Sequence, residues 1–353
     1  MKRIGYIYEK IYDIENIKVA IKNASKKKRN QIRVQKIINN DDFYAKEISK
    51  SLKNMTFKTS EYVINRIKDG ANKKERIIYK PKFYPDQIVH WALMQQIQPI
   101  IMKGMYEYSC GSIPGRGTSY GQKHLRNWLD KDHKNTKYCL KMDVKKFYPS
   151  VDNETLKNKF RNKIKDEKCL WLINKIINSA KGLPIGNYTS QWFSNFYLQD
   201  LDHFIKEKLK VKYYMRYVDD LVLLGSNKKK LHIIKRKIDK FLKKEKLIIK
   251  DNWQVFKLSC RDIDFLGLRF FRNKTILRKR NSLRIRRRFK KISKKDNLNF
   301  KDACAIISYW GWIKRSDSYN FYQKHMKPYV SLKEAKKVVS KHAKIRNNRK
   351  RET

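Results

Sequence analysis

The sequence has no apolar run approaching the roughly 20 residues that a membrane-spanning helix needs, and it has no lipidation motif. Its first residues, Met1-Lys2-Arg3-Ile4-Gly5-Tyr6, are basic but lack the apolar core of a signal peptide. Membrane insertion and export are therefore not expected. The five cysteines (Cys110, Cys139, Cys169, Cys260 and Cys304) are scattered, odd in number and without a C-x-x-C pair. That argues against a disulfide frame or a zinc site and for reduced thiols in a cytosol. No repeat of solenoid period is visible. Acidic residues are few beside the basic ones: 33 Asp and Glu stand against 86 Lys and Arg, a formal net charge of +53.

Such a chain repels itself unless a polyanion is near. Phosphate backbones are the natural counterion, bound in a strongly salt-dependent way. A basic ribosomal or structural RNA-binding protein would carry the same balance, so charge names the partner and not the activity. The 353 residues suffice for two or three subdomains around a real core. A hydrophobic fraction of 41%, with 21 Tyr, 16 Phe and 7 Trp, argues against wholesale disorder.

Residues 1–70 read as helical, with basic faces such as Lys26-Lys27-Lys28-Arg29 and apolar positions around Ile37-Ile38. A short strand, Arg76-Ile77-Ile78-Tyr79, is followed by a Pro-bounded turn and an amphipathic helix from about Asp86. Residues 137–143 alternate polar and apolar, the period of a half-buried strand ending at Asp143. Residues 213–224 form two apolar strands with Asp219-Asp220 at the join, a hairpin. A basic amphipathic helix over 228–246 and one strand over 264–270 come next. From about 278 the composition turns cationic and helical, opening on Arg284-Ile285-Arg286-Arg287-Arg288. The stretch from about 340 reads as a polar, basic tail.

Nucleotidyl transfer needs two divalent metals about 3.5–4 Å apart, one for the attacking 3′-oxygen and one for the leaving pyrophosphate. Mg²⁺ takes carboxylate oxygens, waters and substrate phosphates. Carboxylates at one strand end and in the turn of an adjacent hairpin can build that site, and Asp143 with Asp219-Asp220 has this arrangement. An ordinary solvated turn is the bland reading of an Asp-Asp pair. The unusually apolar flanking strands, and acids placed where phosphate would come in so basic a chain, move the reading to a metal site.

At these residues the sequence resembles reverse transcriptases. Tyr217-Val218-Asp219-Asp220 is similar to their palm motif C, and Lys141-Met142-Asp143-Val144-Lys145-Lys146-Phe147-Tyr148-Pro149-Ser150-Val151 to motif A. The run Gly182-Leu183-Pro184-Ile185-Gly186-Asn187-Tyr188-Thr189-Ser190-Gln191 is similar to motif B, and Asp264-Phe265-Leu266-Gly267 to the primer-grip strand. The motifs come in the family's order, and the similarity covers residues 70–275 well and both ends loosely. It implies an α+β right-hand polymerase. Fingers and a basic helical N-terminal region would span 1–133, a palm with antiparallel sheet 134–275, and a helical thumb with a basic tail 276–353.

The resemblance implies two Mg²⁺ ions, with Mn²⁺ as a substitute, on Asp143, Val144, Asp219 and Asp220, and makes the three aspartates catalytic. Incoming dNTPs would meet Arg76, Lys80, Tyr148, Ile185, Gly186 and Gln191. Tyr148 matches the steric gate against a 2′-hydroxyl, whereas Phe147 better suits packing behind the palm. Arg76 would clamp the triphosphate with its guanidinium fork; Lys80 is a poorer candidate. Arg116, in Gly111-Ser112-Ile113-Pro114-Gly115-Arg116-Gly117, would face template or nucleotide, though those glycines equally suit a plain turn. Phe265, Leu266 and Gly267 would contact the primer, and Arg284, Arg286, Arg287 and Arg288 the A-like RNA/cDNA hybrid through its phosphates. A solvated helix face is the competing reading for each of those arginines. Lys250 is a candidate proton donor to pyrophosphate, with an ordinary lysine the stronger reading in so basic a chain.

Two departures sharpen the resemblance. Motif B has Ile185 where many reverse transcriptases have glutamine, and Gln191 where retroviral, retron and group II intron enzymes usually have proline. Together with Gly311-Trp312-Ile313-Lys314 and Asp317-Ser318-Tyr319-Asn320, this resembles the enzymes of diversity-generating retroelements, which copy a template-repeat RNA with errors at adenines. That group implies a small basic accessory protein and a bacterial or phage cytoplasm. The alternative is a defence-associated or retron-like enzyme copying its own structured non-coding RNA. A non-catalytic RNA-binding protein is the rival from another class, opposed by the intact aspartates. No nuclease motif and no room for an RNase H domain are visible after the thumb.

Overall fold

The computed structural model describes residues 3–69, 74–295 and 297–348. Among these described residues, ten strands follow in chain order. The first five are β1 (Val63–Asp69), β2 (Lys74–Lys80), β3 (Ser109–Cys110), β4 (Tyr138–Asp143) and β5 (Tyr213–Tyr217). The rest are β6 (Asp220–Gly225), β7 (Gln254–Lys257), β8 (Ile263–Phe265), β9 (Leu268–Phe270) and β10 (Thr275–Leu277). They form a five-stranded sheet in the order β3-β5-β6-β4-β7, a three-stranded β10-β9-β8 sheet and the β1-β2 hairpin. None of the described helices is long and apolar enough to cross a membrane.

The chain divides into two compact units. One comprises Met1–Ile113, Met142–Leu221 and Ile233–Trp253; the other comprises Pro114–Lys141, Val222–His232 and Gln254–Thr353. In the first, helix Ile14–Ala24 starts where the Asp13 side chain accepts from the Asn16 N–H, a side-chain N-cap. It buries Ile17, Ala20, Ile21 and Ala24, one face at helical spacing, against helix Ile88–Lys103. Asp166 caps helix Glu167–Ile177 and also accepts from the N–H groups of Ile7 and Tyr8 at 2.7 and 2.9 Å. One carboxylate thus starts a helix and ties down the N-terminal segment. Helix Ile88–Lys103 stacks Trp91 on Tyr188 at 3.8 Å between ring centroids, which anchors helix Tyr188–Tyr197 behind the Gly182–Gln191 loop.

In the second unit, β4 pairs antiparallel with β7 from Tyr138↔Lys257 to Lys141↔Gln254. Helix Lys279–Ile292 buries Asn281, Ile285, Phe289 and Ile292 and leaves Arg284, Arg286 and Arg287 exposed. Burial at that spacing, not propensity, makes so charged a segment helical.

Several expectations change. Residues 63–69 are strand, not helix: Val63, Ile64 and Ile67 are all exposed, so the segment buries neither face and carries no alternation to read. The expected strand over 264–270 is instead the hairpin β8-β9, which pairs Phe265 with Leu268. Leu266 (φ 50°) and Gly267 (φ 84°) make its two-residue turn, and two left-handed residues reverse the chain there. The expected helix from Asp86 starts at Ile88 and is buried on most sides, so it is less amphipathic than expected. The stretch from about 340 belongs to helix Leu332–Asn348 rather than to a tail, and residues 349–353 lie outside the described residues.

Candidate active site

The hairpin β5-β6 turns through Val218 and Asp219, and Asp220 opens β6. Apolar neighbours Tyr214, Met215, Leu221, Val222, Leu223 and Leu224 are all buried, so the turn sits on rigid strands. Asp143 is the last residue of β4. The two carboxylate-bearing segments are joined through the backbone, because the Val144 N–H donates to the Asp219 carbonyl at 3.2 Å. On the other side, the Lys250 N–H donates to the Asp143 carbonyl and the Lys145 N–H to the Ile248 carbonyl, both at 2.8 Å. The Lys250 ammonium also pairs with Asp143 Oδ2.

Asp143 Oδ1 is buried without a hydrogen-bond partner. The Asp219 carboxyl is pushed up to about 6, first by burial and then by the Asp143 carboxylate beside it, with Lys250 opposing. Two carboxylates thus share a half-buried spot with too little positive charge. A divalent cation relieves that imbalance, so the residues fit Mg²⁺, which needs one or two carboxylates and fills its remaining sites with waters and phosphates. Among the described residues no group of three His, Cys, Asp or Glu side chains is gathered tightly enough to hold a metal unaided. Asp143, Asp219 and Asp220 are all half-buried, and of the other two carboxylates it is that of Asp143 that pushes Asp219 up.

Tyr148 follows a left-handed Lys146 (φ 45°) in the short helix Phe147–Ser150. Burial pushes its phenol up; a 3.4 Å contact to Ser194 Oγ opposes, and the Asp219 carboxylate adds to the push. Tyr148 is therefore within electrostatic reach of Asp219, while Phe147 is fully buried behind it. The Leu183 N–H donates to the Tyr148 carbonyl at 2.8 Å, and a Cβ on Gly182 (φ 70°) would lie 2.7 Å from the Pro149 oxygen. Glycine is required there by both conformation and space.

The same loop meets β2. The Tyr79 N–H donates to the Ile185 carbonyl at 2.8 Å, and a Cβ on Gly186 (φ 134°) would fall 2.1 Å from the Tyr79 oxygen. Ser190 Oγ donates to the Pro184 carbonyl at 2.8 Å and closes the loop on its helix. Ile185 is half-buried, and Gly186 and Gln191 are exposed. Arg76 and Lys80 are exposed on β2, opposite Ile67 and Val63. The structure thus joins Asp143, Val144, Tyr148, Asp219 and the Gly182–Gln191 loop in one bonded framework, with β2 attached at Tyr79.

The remaining candidates lie in the second unit. Arg116 is half-buried just before helix Thr118–Lys131. Phe265 is buried in β8, and the Leu266-Gly267 turn is held through its carbonyls: Gln122 Nε2 donates to Leu266 at 2.8 Å and Asn281 Nδ2 to Gly267 at 3.1 Å. Arg288 pairs with the buried Asp302, unlike the exposed Arg284, Arg286 and Arg287.

Residues missed from sequence are Arg216 and its partners. Arg216 is fully buried in β5 and holds Asp202 bidentately at 2.8 and 2.6 Å. A signal was available: an arginine inside Tyr213-Tyr214-Met215-Arg216-Tyr217, an otherwise buried strand, must find a buried anion.

The family description reverse transcriptase (RNA-dependent DNA polymerase) matches residues 25–270. The chain belongs to that family, whose members are RNA-directed DNA polymerases. The retron Ec73 reverse transcriptase of Escherichia coli is 26% identical over 297 residues, 78% of this chain and 90% of that protein. The group II intron-encoded protein LtrA of Lactococcus lactis is 27% identical over 184 residues, 48% of this chain and 29% of that protein. Apo telomerase from Candida tropicalis superposes with a TM-score of 0.50 at 16% identity, covering 76% of this chain and 53% of that one. The chain thus spans about half the length of that telomerase. The likeness concerns the fold, the right-hand polymerase.

Proposed function

We propose that this chain synthesises cDNA on an RNA template by two-metal nucleotidyl transfer at Asp143, Asp219 and Asp220. The observation that carries the reading is the Asp143–Asp219 pair, whose segments are joined by the Val144 N–H on the Asp219 carbonyl, with an orphaned Asp143 Oδ1 and two half-buried carboxylates side by side. Bound Mg²⁺, or Mn²⁺ in its place, supplies positive charge for the 3′-oxygen and for the leaving pyrophosphate. The carboxylates of Asp143, Asp219 and Asp220 and the Val144 carbonyl would hold the ions. Tyr148 limits the sugar, Gly186 leaves room where β2 crosses the motif B loop, and Arg76 and Lys80 draw the dNTP triphosphate. Fingers fall over 1–133, palm over 134–275 and thumb over 276–353. The thumb's exposed arginines grip the hybrid through phosphates. The chain works in a bacterial or phage-infected cytoplasm.

We assign it to diversity-generating retroelements, in which a template-repeat RNA is copied with errors at adenines and a small basic protein assists. Ile185 supports this: a half-buried aliphatic side chain cannot hydrogen-bond a nucleotide sugar, so one check on nucleotide geometry is lost. The similarity to the retron Ec73 enzyme over 78% of the chain favours a second reading, a retron-like enzyme copying its own non-coding RNA.

The test is Mg²⁺-dependent primer extension on an RNA template, wild type beside Asp219→Ala. Extension by wild type alone is expected. No incorporation by wild type, with and without its own RNA, overturns the polymerase. Product sequencing then separates the finer readings: Ile185→Gln raises fidelity opposite adenine if the first holds, and an unchanged error spectrum removes it. A template repeat beside an accessory gene supports the first reading, whereas a neighbouring toxin or effector gene supports the second.

A further inference from the structure

Val218, the residue before Asp219, has φ 57°. A β-branched residue in the left-handed region is strained, and such a conformation persists only where its surroundings over-determine it. Both backbone groups of Val218 are held. Its N–H donates to the Cys110 carbonyl at 3.1 Å, and its carbonyl accepts from Arg216 Nη1 at 2.9 Å. The side chain is confined as well, since a Cβ on Gly111 (φ 92°) would lie 2.9 Å from Val218 Cγ2.

Arg216 spends every donor in fixed directions. Nε and Nη2 take the two oxygens of Asp202 at 2.8 and 2.6 Å, and Nη2 also takes Ser109 Oγ at 3.0 Å. Nη1 takes Asn195 Oδ1 at 3.1 Å besides the Val218 carbonyl. The partners are locked in turn: Tyr214 Oη and Ser109 Oγ each donate to Asp202 at 2.6 Å, and Asn195 Nδ2 donates to the Gly111 carbonyl at 3.0 Å. Asp202 is itself fully buried. A buried ion pair is seldom the cheapest filling for a core. Here its planar fork aims one N–H at a strained carbonyl, which no apolar substitute could do.

We propose that Arg216, oriented by Asp202, is a positioning residue that clamps the peptide between Val218 and Asp219 and so aims the Asp219 carboxylate. The inference rests on the reading of Asp219 as a catalytic carboxylate. Lysine is the informative substitution, because it keeps a cation beside Asp202 but lacks the fork.

The experiment pairs kinetics with hydrogen exchange. Arg216→Lys lowers kcat for primer extension by about tenfold to a hundredfold, with KM for dNTP little changed. Val218→Gly removes the strain that the clamp opposes. In that background the same lysine substitution costs less than about threefold. An equal loss in both backgrounds overturns the proposal, since packing alone would then explain Arg216. Exchange needs no activity: in the wild type the Val218 amide is protected like the flanking strands, and in Arg216→Lys the 218–219 amides exchange at least about tenfold faster while the strands do not. A freely exchanging wild-type Val218 amide, or uniform loosening of both strands in the variant, also overturns it. Should Arg216→Lys fail to fold, Ser109→Ala, which takes one partner from Nη2 and leaves the pair with Asp202, is read in its place: faster exchange at 218–219 than in the strands is expected, and uniform exchange overturns the proposal. An inactive wild type with the expected exchange pattern would sink the polymerase reading and leave the clamp standing.

Discussion

The turn at Val218-Asp219 and the turn at Leu266-Gly267 each reverse a hairpin in two residues, and each contains left-handed backbone. The second is secured by neutral donors, Gln122 and Asn281, on its two carbonyls. It also has glycine where φ is most positive and an unbranched Leu266 at the other left-handed position, so its backbone carries less strain. The first puts a β-branched residue in the left-handed position, crowds two carboxylates beside it and is held by a buried guanidinium. Neutral caps suffice for a turn that carries no charge. A turn that must present charge at a fixed point carries strain and repulsion, of the order of 1–3 kcal/mol for the backbone alone, and needs a stiffer support.

The sharpest break in that comparison is chemical. Asp219→Ala or Asp143→Ala is expected to lower primer extension by at least about 10³-fold, the loss of several kcal/mol of transition-state stabilisation. Single-turnover extension at saturating Mg²⁺ measures it. The second effect runs the other way. Asp219 has an ordinary value of 3.8 and a folded value of about 6, so between them the native state holds more protons and stability falls as pH rises. In chelator, Asp219→Asn should therefore be more stable than wild type at pH 7.5, by about 1–3 kcal/mol. That gain shrinks as pH drops through 6 toward 3.8. Urea unfolding at both ends of the range checks the sign, and added Mg²⁺ should narrow the gap at pH 7.5 by stabilising the wild type.

Smaller effects test the backbone contrast. Gly267→Ala places a Cβ on a left-handed residue and is expected to cost about 1–2 kcal/mol in urea unfolding. Val218→Gly should shift stability by less than about 1 kcal/mol, because relief of strain offsets the lost backbone order. Least of all, Gln122→Ala removes one amide bond to the Leu266 carbonyl and should cost about 1 kcal/mol or less.

Much of the site was legible because its signals are local. Alternation carried β4 to its end at Asp143, and two apolar runs framed the Asp219-Asp220 join. The hairpin inside 264–270 was not read because Leu266, not asparagine or aspartate, precedes its glycine, and this disguises a left-handed pair as continuous strand. The β1 strand escaped for the opposite reason, since its apolar residues face water on both sides and leave no period. Gly186 was noticed as part of a motif, but its requirement comes from the Tyr79 oxygen, about a hundred residues earlier in the chain.

By itself, then, the sequence determined the family and the polyanionic character of the substrate, and it nominated three aspartates as the candidate site. Those depend on residue type, order and net charge, which need no coordinates. Only the tertiary structure decided which carboxylates become partners, that Val218 is strained, and that Arg216 is engaged with Asp202 and the Val218 carbonyl. Burial and hydrogen-bond direction belong to segments far apart in the chain. No local pattern records where a guanidinium will point once the core has closed around it.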